Sequence, residues 1–292
     1  MLLLTPEKFT DYELLDCGDF EKLERFGKYI TIRPEPQAVW SRKWEVKEWE
    51  KRAHVRFVPK SSSAGTWKKL KDMPDQWRMQ YAFNKTDVIC FRLGLTSFKH
   101  VGIFPEQAVN WEYIYNNIKT IRKTIDQPRV LNLFAYTGGA SLAAKAAGAD
   151  ITHLDSIKQV VTWAKENMEL SHLDGIRWLV EDAMTYVKRE VKRGKKYHGI
   201  ILDPPAYGHG PDGEHWKLEE MINDMMKYVS ELLEPENSFL VLNTYSLGFS
   251  SLIIKNLMED HFGKRGATAE CGEIYLQATS GVVLPLGVVG RI

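Results

Sequence analysis

Three aspartates follow short apolar segments in the second half of the chain, where carboxylates can hold or activate a ligand. Asp155 follows ITHL, Asp182 follows RWLVE and Asp203 follows HGIIL. A carboxylate accepts hydrogen bonds from ribose hydroxyls and from amino groups. Because the carboxyl ends of parallel strands share one edge of a sheet, these acids are expected to line a common site. An acid after a strand is also a common helix N-cap, and Asp182 fits that alternative best.

The segment VLNLFAYTGGAS, Val130 to Ser141, predicts a strand, a turn and the start of a helix. Val130 to Ala135 is a short apolar run of the kind that forms a buried strand. Gly138 and Gly139 interrupt it, and Ser141 to Ala149 has a helical pattern. We therefore expect a glycine turn between a strand and a helix.

A second predicted strand, Ile151 to Leu154, leads directly to Asp155. The order of strand, glycine turn, helix, strand and acid is typical of a unit that binds a nucleoside-bearing cofactor. Glycine lets the backbone approach such a ligand, and the acid accepts hydrogen bonds from its ribose. Turns of this kind also occur in α/β proteins that bind no such cofactor, so both interpretations stay open.

The segment DPPAYGHGPDGEHW follows another apolar strand and predicts an acceptor-binding loop. Pro204 and Pro205 have fixed φ angles and no backbone donor, so the carbonyls near Asp203 would be free and rigidly aimed. Tyr207 could stack on a nucleobase. Three glycines would let the loop close over a substrate: Gly208, Gly210 and Gly213. The alternative is that Asp-Pro-Pro only forms a sharp strand exit.

Strands and helices alternate from Arg129 onward, which predicts an α/β fold with a doubly wound, Rossmann-like parallel sheet. The last residues predict an antiparallel hairpin across Ser280 and Gly281. The remaining predicted helices are Lys158 to Leu170, Ala183 to Lys192, Trp216 to Leu233 and Ser251 to Glu259. The remaining predicted strands are Arg177 to Asp182, His198 to Asp203 and Ser238 to Ser246.

Residues 1–108 predict a small β-rich domain, and residues 109–292 the α/β domain joined to it by a helix from Phe104 to Ile125. Short β-rich runs in the first part, Tyr29 to Ile32, His54 to Val58 and Val88 to Leu93, are separated by prolines. The segment Ser41 to Lys71 carries ten Lys and Arg residues and three tryptophans. Such a segment suits contact with RNA, or it is a solvated charged face whose tryptophans fill the domain core.

The composition is that of a globular protein, with 292 residues, 44% hydrophobic residues and a net charge of +1. Its three cysteines, Cys17, Cys90 and Cys271, form no CxxC pair, so neither a metal site nor a disulfide framework is predicted. No apolar run has the roughly 20 residues that a membrane span needs. We therefore expect a cytoplasmic protein without a membrane segment, and the sequence indicates no oligomeric state.

The motifs LNLFAYTGGAS, HLDS, EDA and ILDPPAYG, in this order and spacing, resemble motifs I to IV of class I S-adenosylmethionine-dependent methyltransferases. The set most resembles the bacterial large-subunit ribosomal RNA methyltransferase family that modifies cytosine or guanine. VGIFPEQ is similar to a Gly-x-Phe-x-Asp-Gln segment of that family, with Glu106 in place of Asp. Residues 1–108 resemble the small β domain of that family without its RNA-binding PUA module.

The resemblance implies S-adenosylmethionine as cofactor and ribosomal RNA as substrate, and it implies a role for each matching residue. The residues implied to wrap the methionine end are Phe134, Tyr136, Thr137, Gly138 and Gly139. The residues implied at the ribose are Asp155 and Ser156, those at the adenine are Asp182 and Ala183, and Gln107 is implied to close the cofactor site. The residues implied to face the methyl acceptor are Asp203, Pro204, Pro205 and Tyr207.

One departure from the family concerns the acceptor atom. Members that methylate cytosine C5 carry a nucleophilic cysteine on the loop after the fifth strand, whereas this chain has NTYSLG there, with Tyr245 at the matching position. A nitrogen or oxygen acceptor is therefore expected. Two alternatives stay open: a methyltransferase acting on a small molecule or a protein, and an inert cofactor-binding RNA or assembly factor.

Overall fold

The computed structural model describes residues 2–61, 64–245 and 248–292. Its α-helices are α1 Val46–Arg52, α2 Ala108–Ile121, α3 Gly139–Ala146, α4 Lys158–Leu170, α5 Ala183–Lys192, α6 Leu218–Leu232 and α7 Ser251–Ala267. A 3-10 helix, Pro105–Gln107, precedes α2. Two of the predicted helices, α4 and α5, have the predicted bounds, and α7 continues past Glu259 through a break in helical geometry at Gly263.

The first eight strands precede α2, and the other nine follow it. The first group is β1 Leu2–Leu4, β2 Tyr12–Gly18, β3 Glu21–Phe26, β4 Tyr29–Pro34, β5 Val55–Pro59, β6 Gly65–Lys69, β7 Gln76–Ala82 and β8 Val88–Gly94. The second group is β9 Arg129–Leu133, β10 Asp150–Asp155, β11 Arg177–Val180, β12 Gly199–Leu202, β13 Tyr207–His209, β14 His215–Lys217, β15 Phe239–Thr244, β16 Glu270–Gln277 and β17 Val283–Arg291. The predicted strand end at Ser246 lies outside the described residues.

The largest sheet has the strand order β1-β16-β17-β15-β12-β9-β10-β11. Strands β15, β12, β9, β10 and β11 pair in parallel, and β17 pairs with β15 antiparallel. This arrangement confirms the predicted α/β sheet with a terminal antiparallel hairpin. The chain reverses its winding between β9 and β12, so the ends of these two strands border the crevice in which doubly wound sheets bind ligands.

Helices cover both faces of this sheet, which explains why its central strands are apolar throughout. Leu131 and Leu202 belong to a core cluster with residues of α5, α6 and α7, so these helices cover one face. Ser141 of α3 hydrogen-bonds to Asn132 of β9 and His153 of β10. Asn132 follows Leu131 in β9, so its side chain points to the opposite face of the sheet. Asp155, at the end of β10, lies on this second face and belongs to the site described below.

The chain divides into two compact units. The sheet unit comprises Met1–Leu4, Val109–Ile274 and Gly287–Ile292, and the N-terminal unit comprises Thr5–Ala108 and Tyr275–Leu286. One division between the units lies near residue 108, residues 2–4 pair with β16 of the large sheet, and residues 275–286 group with the N-terminal unit. Periodicity within a segment carries no information on such distant pairing partners, so the sequence prediction missed both exchanges.

Hydrogen bonds explain why residues 275–286 group with the N-terminal unit. The amide of Thr279 donates to the Leu14 carbonyl at 2.9 Å, and the Ser280 hydroxyl donates to Asp16 Oδ1 at 2.6 Å. Asp16 is fully buried and also accepts from the indole of Trp49 at 2.9 Å. The terminal hairpin turn is therefore part of this unit's polar core.

The N-terminal unit contains the β-rich fold that its sequence predicted. Strands β2 to β6 form a five-stranded sheet in chain order, and β7 and β8 form a separate antiparallel pair. Trp49 of α1 packs against Leu23 and Ile32 in a small apolar core. Among the described residues, neither unit has a helix that combines the length and hydrophobicity needed to cross a bilayer.

Candidate active site

The glycine turn after β9 has an unusual backbone. Phe134, Tyr136 and Gly138 have φ angles of 57°, 49° and 90°. Residues with side chains reach the left-handed region at a cost of roughly 1–2 kcal/mol each, so two of them in one turn need external support. Strain of this kind is concentrated at ligand-binding sites in proteins.

Asp155 supplies that support. Its Oδ2 accepts the Tyr136 amide at 2.8 Å, and its Oδ1 accepts the Ile157 amide at 3.0 Å. Burial raises the pKa of Asp155, whereas backbone amides that include Ser156 lower it. Both carboxylate oxygens are thereby fixed in position, and each keeps a lone pair for a further donor such as a ribose hydroxyl.

The two glycines of the turn are explained by packing as well as by any ligand. Gly138 has a positive φ, and a Cβ there would lie 3.2 Å from the Ala164 side chain. A Cβ on Gly139 would lie 2.7 Å from the ring of Trp111 on α2. Thr137, directly before Gly138, is buried. Its carbonyl accepts a hydrogen bond from Asn167 of α4 at 3.0 Å. The turn is therefore packed against two helices, α2 and α4.

A buried hydrogen-bonded chain lies beneath the turn and was not predicted. The Asn132 amide donates to Ser141 Oγ at 2.9 Å, and Ser141 Oγ lies 3.0 Å from His153 Nδ1. Burial lowers the pKa of His153 to about 3, so its ring is neutral at physiological pH. The only signal in the sequence for these hydrogen bonds was the presence of polar residues inside an apolar strand pattern.

Asp182 is the N-cap of α5. Its Oδ1 accepts the Thr185 amide at 2.7 Å, and Ala183 after it is buried in the core under the sheet. The helix-cap alternative raised for this residue is therefore present in the structure. Contact of Asp182 or Ala183 with an adenine ring stays a prediction.

Asp203 ends β12 beside Asn243 of β15. The register pairs Leu202 with Leu242, so the next residue of each strand faces its neighbour on the same side of the sheet. Asn243 Nδ2 donates to Asp203 Oδ1 at 2.7 Å. Burial raises the pKa of Asp203 to about 6, and the Asn243 hydrogen bond opposes that rise. The carboxylate is thus ionised near pH 7 and close to the pH at which it takes up a proton, as suits a general base.

The loop after Asp203 is more ordered than the sequence predicted. Instead of a glycine-rich loop leading into a helix at Trp216, β13 and β14 form a hairpin, and α6 begins two residues later. Trp216 is buried, its Nε1 donates to the Pro205 carbonyl at 2.7 Å, and its ring lies 4.7 Å from that of Phe134. The prediction of free carbonyls is therefore wrong for Pro205. The carbonyl of Pro204 accepts no hydrogen bond from the described residues.

Tyr207 opens the hairpin on its exposed face. Its side chain is 57% exposed, and its ring meets the His209 ring edge-on at 5.1 Å between centroids. An exposed aromatic ring four residues after Asp203 is placed where an acceptor ring could stack on it. Phe134, in contrast, packs on Trp216, so its part in cofactor binding stays a prediction.

Gln107 lies in the 3-10 helix of the N-terminal unit, and its predicted contact with the cofactor stays a prediction. Glu106 beside it is buried, which raises its pKa to about 7. The charges around it include a bidentate pair of Arg33 and Glu24, with N–O distances of 2.7 and 2.8 Å. This buried ionic cluster was missed because its members are separated in sequence by up to 82 residues.

The tryptophans of the basic segment Ser41 to Lys71 take part in packing within the N-terminal unit. Trp49 is fully buried under the Arg42 guanidinium, and the Arg52 guanidinium lies 4.7 Å above the Trp44 ring. Trp67 donates to the Thr96 carbonyl at 2.8 Å. The packing interpretation therefore accounts for these rings. The segment's exposed cations are Lys43, Lys47, Lys51, Arg52, Lys60, Lys68, Lys69 and Lys71.

None of the three cysteines has an environment that favours a thiolate. Cys17 is buried, which raises its pKa to about 12. Burial also raises the pKa of Cys90 and of Cys271. A nucleophilic cysteine needs a lowered pKa, so none of these residues is suited to that role.

The site thus brings together a strained turn, a fixed carboxylate and a protonable carboxylate at the ends of β9, β10 and β12, which are neighbours in the sheet. Asp155 with its turn fits the ribose of a nucleoside cofactor, and Asp203 lies on the other side of β9. The residues present therefore fit a nucleoside cofactor and an adjacent acceptor.

Comparison with known proteins shows the family of the chain. The family model described as Conserved hypothetical protein 95 matches residues 99–259, more than half of the chain. A ribosomal RNA large subunit methyltransferase K/L from Shewanella frigidimarina is 30% identical over 157 residues, which are 52% of this chain and 21% of that protein. The chain therefore spans about a fifth of the length of this curated relative.

Two solved structures cover nearly the whole chain. A protein from Streptococcus mutans shares the fold, with a TM-score of 0.70 at 18% identity over 97% of this chain and 76% of that one. The S-adenosylmethionine-dependent methyltransferase from Agrobacterium tumefaciens has a TM-score of 0.92 at 35% identity, over 100% of this chain and 93% of that one. The chain belongs to the family described as Conserved hypothetical protein 95 and is a class I S-adenosylmethionine-dependent methyltransferase by its fold and motifs.

Proposed function

We propose that the chain transfers the methyl group of S-adenosylmethionine to a nitrogen or oxygen atom of a base in ribosomal RNA. The observation that carries the proposal is that two different carboxylates lie on either side of β9. Backbone amides fix Asp155, whereas Asp203 has a pKa of about 6 and can take up a proton. The first fits the cofactor's ribose, and the second fits an acceptor that must lose a proton when it gains a methyl group.

When bound, S-adenosylmethionine supplies a methyl group on a positively charged sulfur. The protein's contribution is to align the acceptor with that methyl group, since positioning supplies much of the rate of such displacements. Asp155 and the turn at Tyr136 would hold the nucleoside. Asp203 would accept the hydrogen bond of the acceptor's N–H or O–H and then its proton.

Ribosomal RNA as the substrate is supported by the curated relatives, which are named ribosomal RNA large subunit methyltransferases. The exposed lysines on the Ser41 to Lys71 segment of the N-terminal unit are a second support, because lysines contact RNA phosphates. Residues 1–108 are therefore proposed as the region that contributes to RNA recognition. The acceptor is proposed to be nitrogen or oxygen, because cytosine C5 chemistry needs a thiolate that this chain's cysteines do not supply.

The test is transfer of a labelled methyl group from S-adenosylmethionine to purified bacterial ribosomal RNA, followed by mass spectrometry of the nucleosides. The Asp203→Asn variant is the matched control, because its side chain has nearly the same shape but cannot take up the proton. We expect one methylated nucleoside in the reaction with the natural chain and at least a 100-fold slower reaction with the control. If both proteins label the RNA only at the background level, the proposal is contradicted.

A further inference from the structure

We propose that Asn243 is a positioning residue for Asp203: its amide donates to one carboxylate oxygen and leaves the other oxygen directed to the methyl acceptor. Neither the sequence motifs nor the comparisons assign a role to Asn243. The inference rests on the proposed function for its catalytic part. Its structural part, the coupling of the two side chains, stands independently of any substrate.

The first support is geometric. Asn243 Nδ2 lies 2.7 Å from Asp203 Oδ1, the short distance expected of a hydrogen bond to a charged acceptor. Both residues extend a fixed parallel register between β12 and β15, so the backbone determines their spacing. Asn243 is 2% exposed, which restricts its side chain to few alternatives. Asp203 Oδ1 is therefore occupied, whereas Oδ2 accepts no hydrogen bond from the described residues.

The second support is the cost of this arrangement. Asn243 Oδ1 is buried without a hydrogen-bond partner among the described residues. An unpaired buried acceptor destabilises a fold by roughly 1–3 kcal/mol, a cost that an apolar residue would avoid. Reversing the amide would set two oxygen acceptors against each other. The amide therefore has one favourable orientation, and that orientation favours the ionised form of Asp203.

The third support is that no charged group among the described residues contributes to the pKa shift of Asp203. Burial and the Asn243 amide are the two causes of its pKa shift, and the amide is the one that favours the carboxylate. Three ionisable side chains lie on nearby strand ends or on the hairpin and do not contribute to that shift: Asp155, Tyr207 and His209. Loss of the amide is therefore expected to raise the pKa of Asp203 further.

The structural part is tested with Asn243→Leu and with Thr244→Val as the matched control. Thr244 is the next residue of β15, fully buried, and its hydroxyl also lacks a partner among the described residues. In Asn243→Leu the unpaired carboxylate is costly only when ionised, so Tm should fall by about 2–4 °C more at pH 8 than at pH 5. In Thr244→Val, and in Asn243→Leu combined with Asp203→Asn, the change in Tm should not depend on pH. Equal pH dependence in Asn243→Leu and Thr244→Val would overturn the inference.

A second measurement needs no substitution at Asn243. The side-chain amide resonances of Asn243 in the folded protein should shift with pH, with a midpoint near the Asp203 pKa of about 6. In Asp203→Asn these resonances should not titrate, and in Thr244→Val they should titrate as in the natural chain. Amide resonances that ignore pH in the natural chain would show that the two side chains are not coupled.

The catalytic part is tested by the pH dependence of single-turnover methyl transfer. In Asn243→Leu the acid limb of the profile should move upward by about one pH unit, and in Thr244→Val it should stay in place. A natural chain that transfers no methyl group would refute the proposed function, while the coupling seen by Tm and NMR would stand. Transfer by the natural chain with an unmoved acid limb in Asn243→Leu would refute the positioning role alone.

Discussion

Asp155 and Asp203 lie on opposite sides of the same strand, yet their surroundings make them chemically different. Asp155 accepts two backbone amides at 2.8 and 3.0 Å, whereas Asp203 accepts one side-chain amide at 2.7 Å and is partly exposed. Burial raises the pKa of both, but for Asp203 the rise reaches about 6. More donors aimed at the charged form oppose the rise that burial causes, and Asp155 has more such donors than Asp203.

This difference matches the two tasks of a methyltransferase. A carboxylate whose two oxygens are fixed by backbone amides can hold hydroxyl groups of a cofactor in one position. A carboxylate whose pKa lies near 6 can take a proton from the acceptor and release it to solvent. Each substitution below changes one of the two carboxylates or the environment that distinguishes them.

The largest effect is expected from Asp203→Asn. A raised folded-state pKa means that the contribution of Asp203 to stability is present below pH ~4 and is lost as pH rises through about 6. At pH 8 the variant should therefore be more stable than the natural chain, by on the order of 2–3 kcal/mol for a shift of about two pKa units. Its methyl-transfer rate should fall by about 100-fold or more.

Tm at pH 5 and pH 8 and the single-turnover rate, measured on the same preparation, check this prediction. Stabilisation at pH 8 together with lost activity would show that the ionised Asp203 carboxylate destabilises the fold and is needed for methyl transfer. An unchanged rate per folded molecule would remove Asp203 from the chemistry.

The next largest effect is expected from Asp155→Ala. The variant loses the acceptor of the Tyr136 amide and the proposed partner of the ribose, so affinity for S-adenosylmethionine should fall about ten-fold or more, equivalent to roughly 1.5–3 kcal/mol. Calorimetric titration measures this change. Asp203→Asn serves as the control, because the comparison of the two sites predicts that it binds the cofactor normally. Unchanged affinity in Asp155→Ala would show that the Asp155 carboxylate does not hold the cofactor.

The same comparison shows what could be predicted from the sequence. Strand ends, the glycine turn and the acids follow from local periodicity, so the bounds of α4 and α5 and the mostly parallel sheet agreed with expectation. The properties that separate Asp155 from Asp203 depend on backbone amides and on Asn243, which is 40 residues from Asp203. Periodicity does not report such contacts, because they arise only when distant segments pair.

The hairpin after Asp203 illustrates the same limit. Its prolines and glycines predicted a loop with free carbonyls, but Trp216 returns across the strand pair and donates to the Pro205 carbonyl. The Pro205 carbonyl is therefore not an available acceptor, and α6 begins at Leu218 rather than at Trp216. The glycines at 138 and 139 likewise have packing partners, Ala164 and Trp111, that only the folded chain identifies.

A smaller effect is expected from Tyr207→Ala, which tests the acceptor side without touching either carboxylate. The ring is 57% exposed and packs mainly on His209, so its loss should leave the fold intact. Loss of one stacking contact at an exposed position, about 1 kcal/mol, should raise the KM for an aromatic acceptor about five-fold with little change in kcat. Tyr207→Phe should keep the natural KM because it keeps the ring. Equal KM values for all three proteins would place the acceptor elsewhere.

The smallest effect is expected from replacing the cysteines, and it tests whether Asp203 acts without a covalent partner. Cys17, Cys90 and Cys271 all have raised pKa values caused by burial, so each remains a thiol near pH 7. The Cys90→Ser and Cys271→Ser double variant should transfer methyl groups at the natural rate. Addition of Cys17→Ser should lower Tm, because this side chain is fully buried, but the rate per folded molecule should again be unchanged. Loss of transfer in a folded variant that still binds cofactor would mean that a thiol attacks the substrate. The acceptor would then be a carbon atom, and Asp203 would take up a proton in a later step than the one proposed.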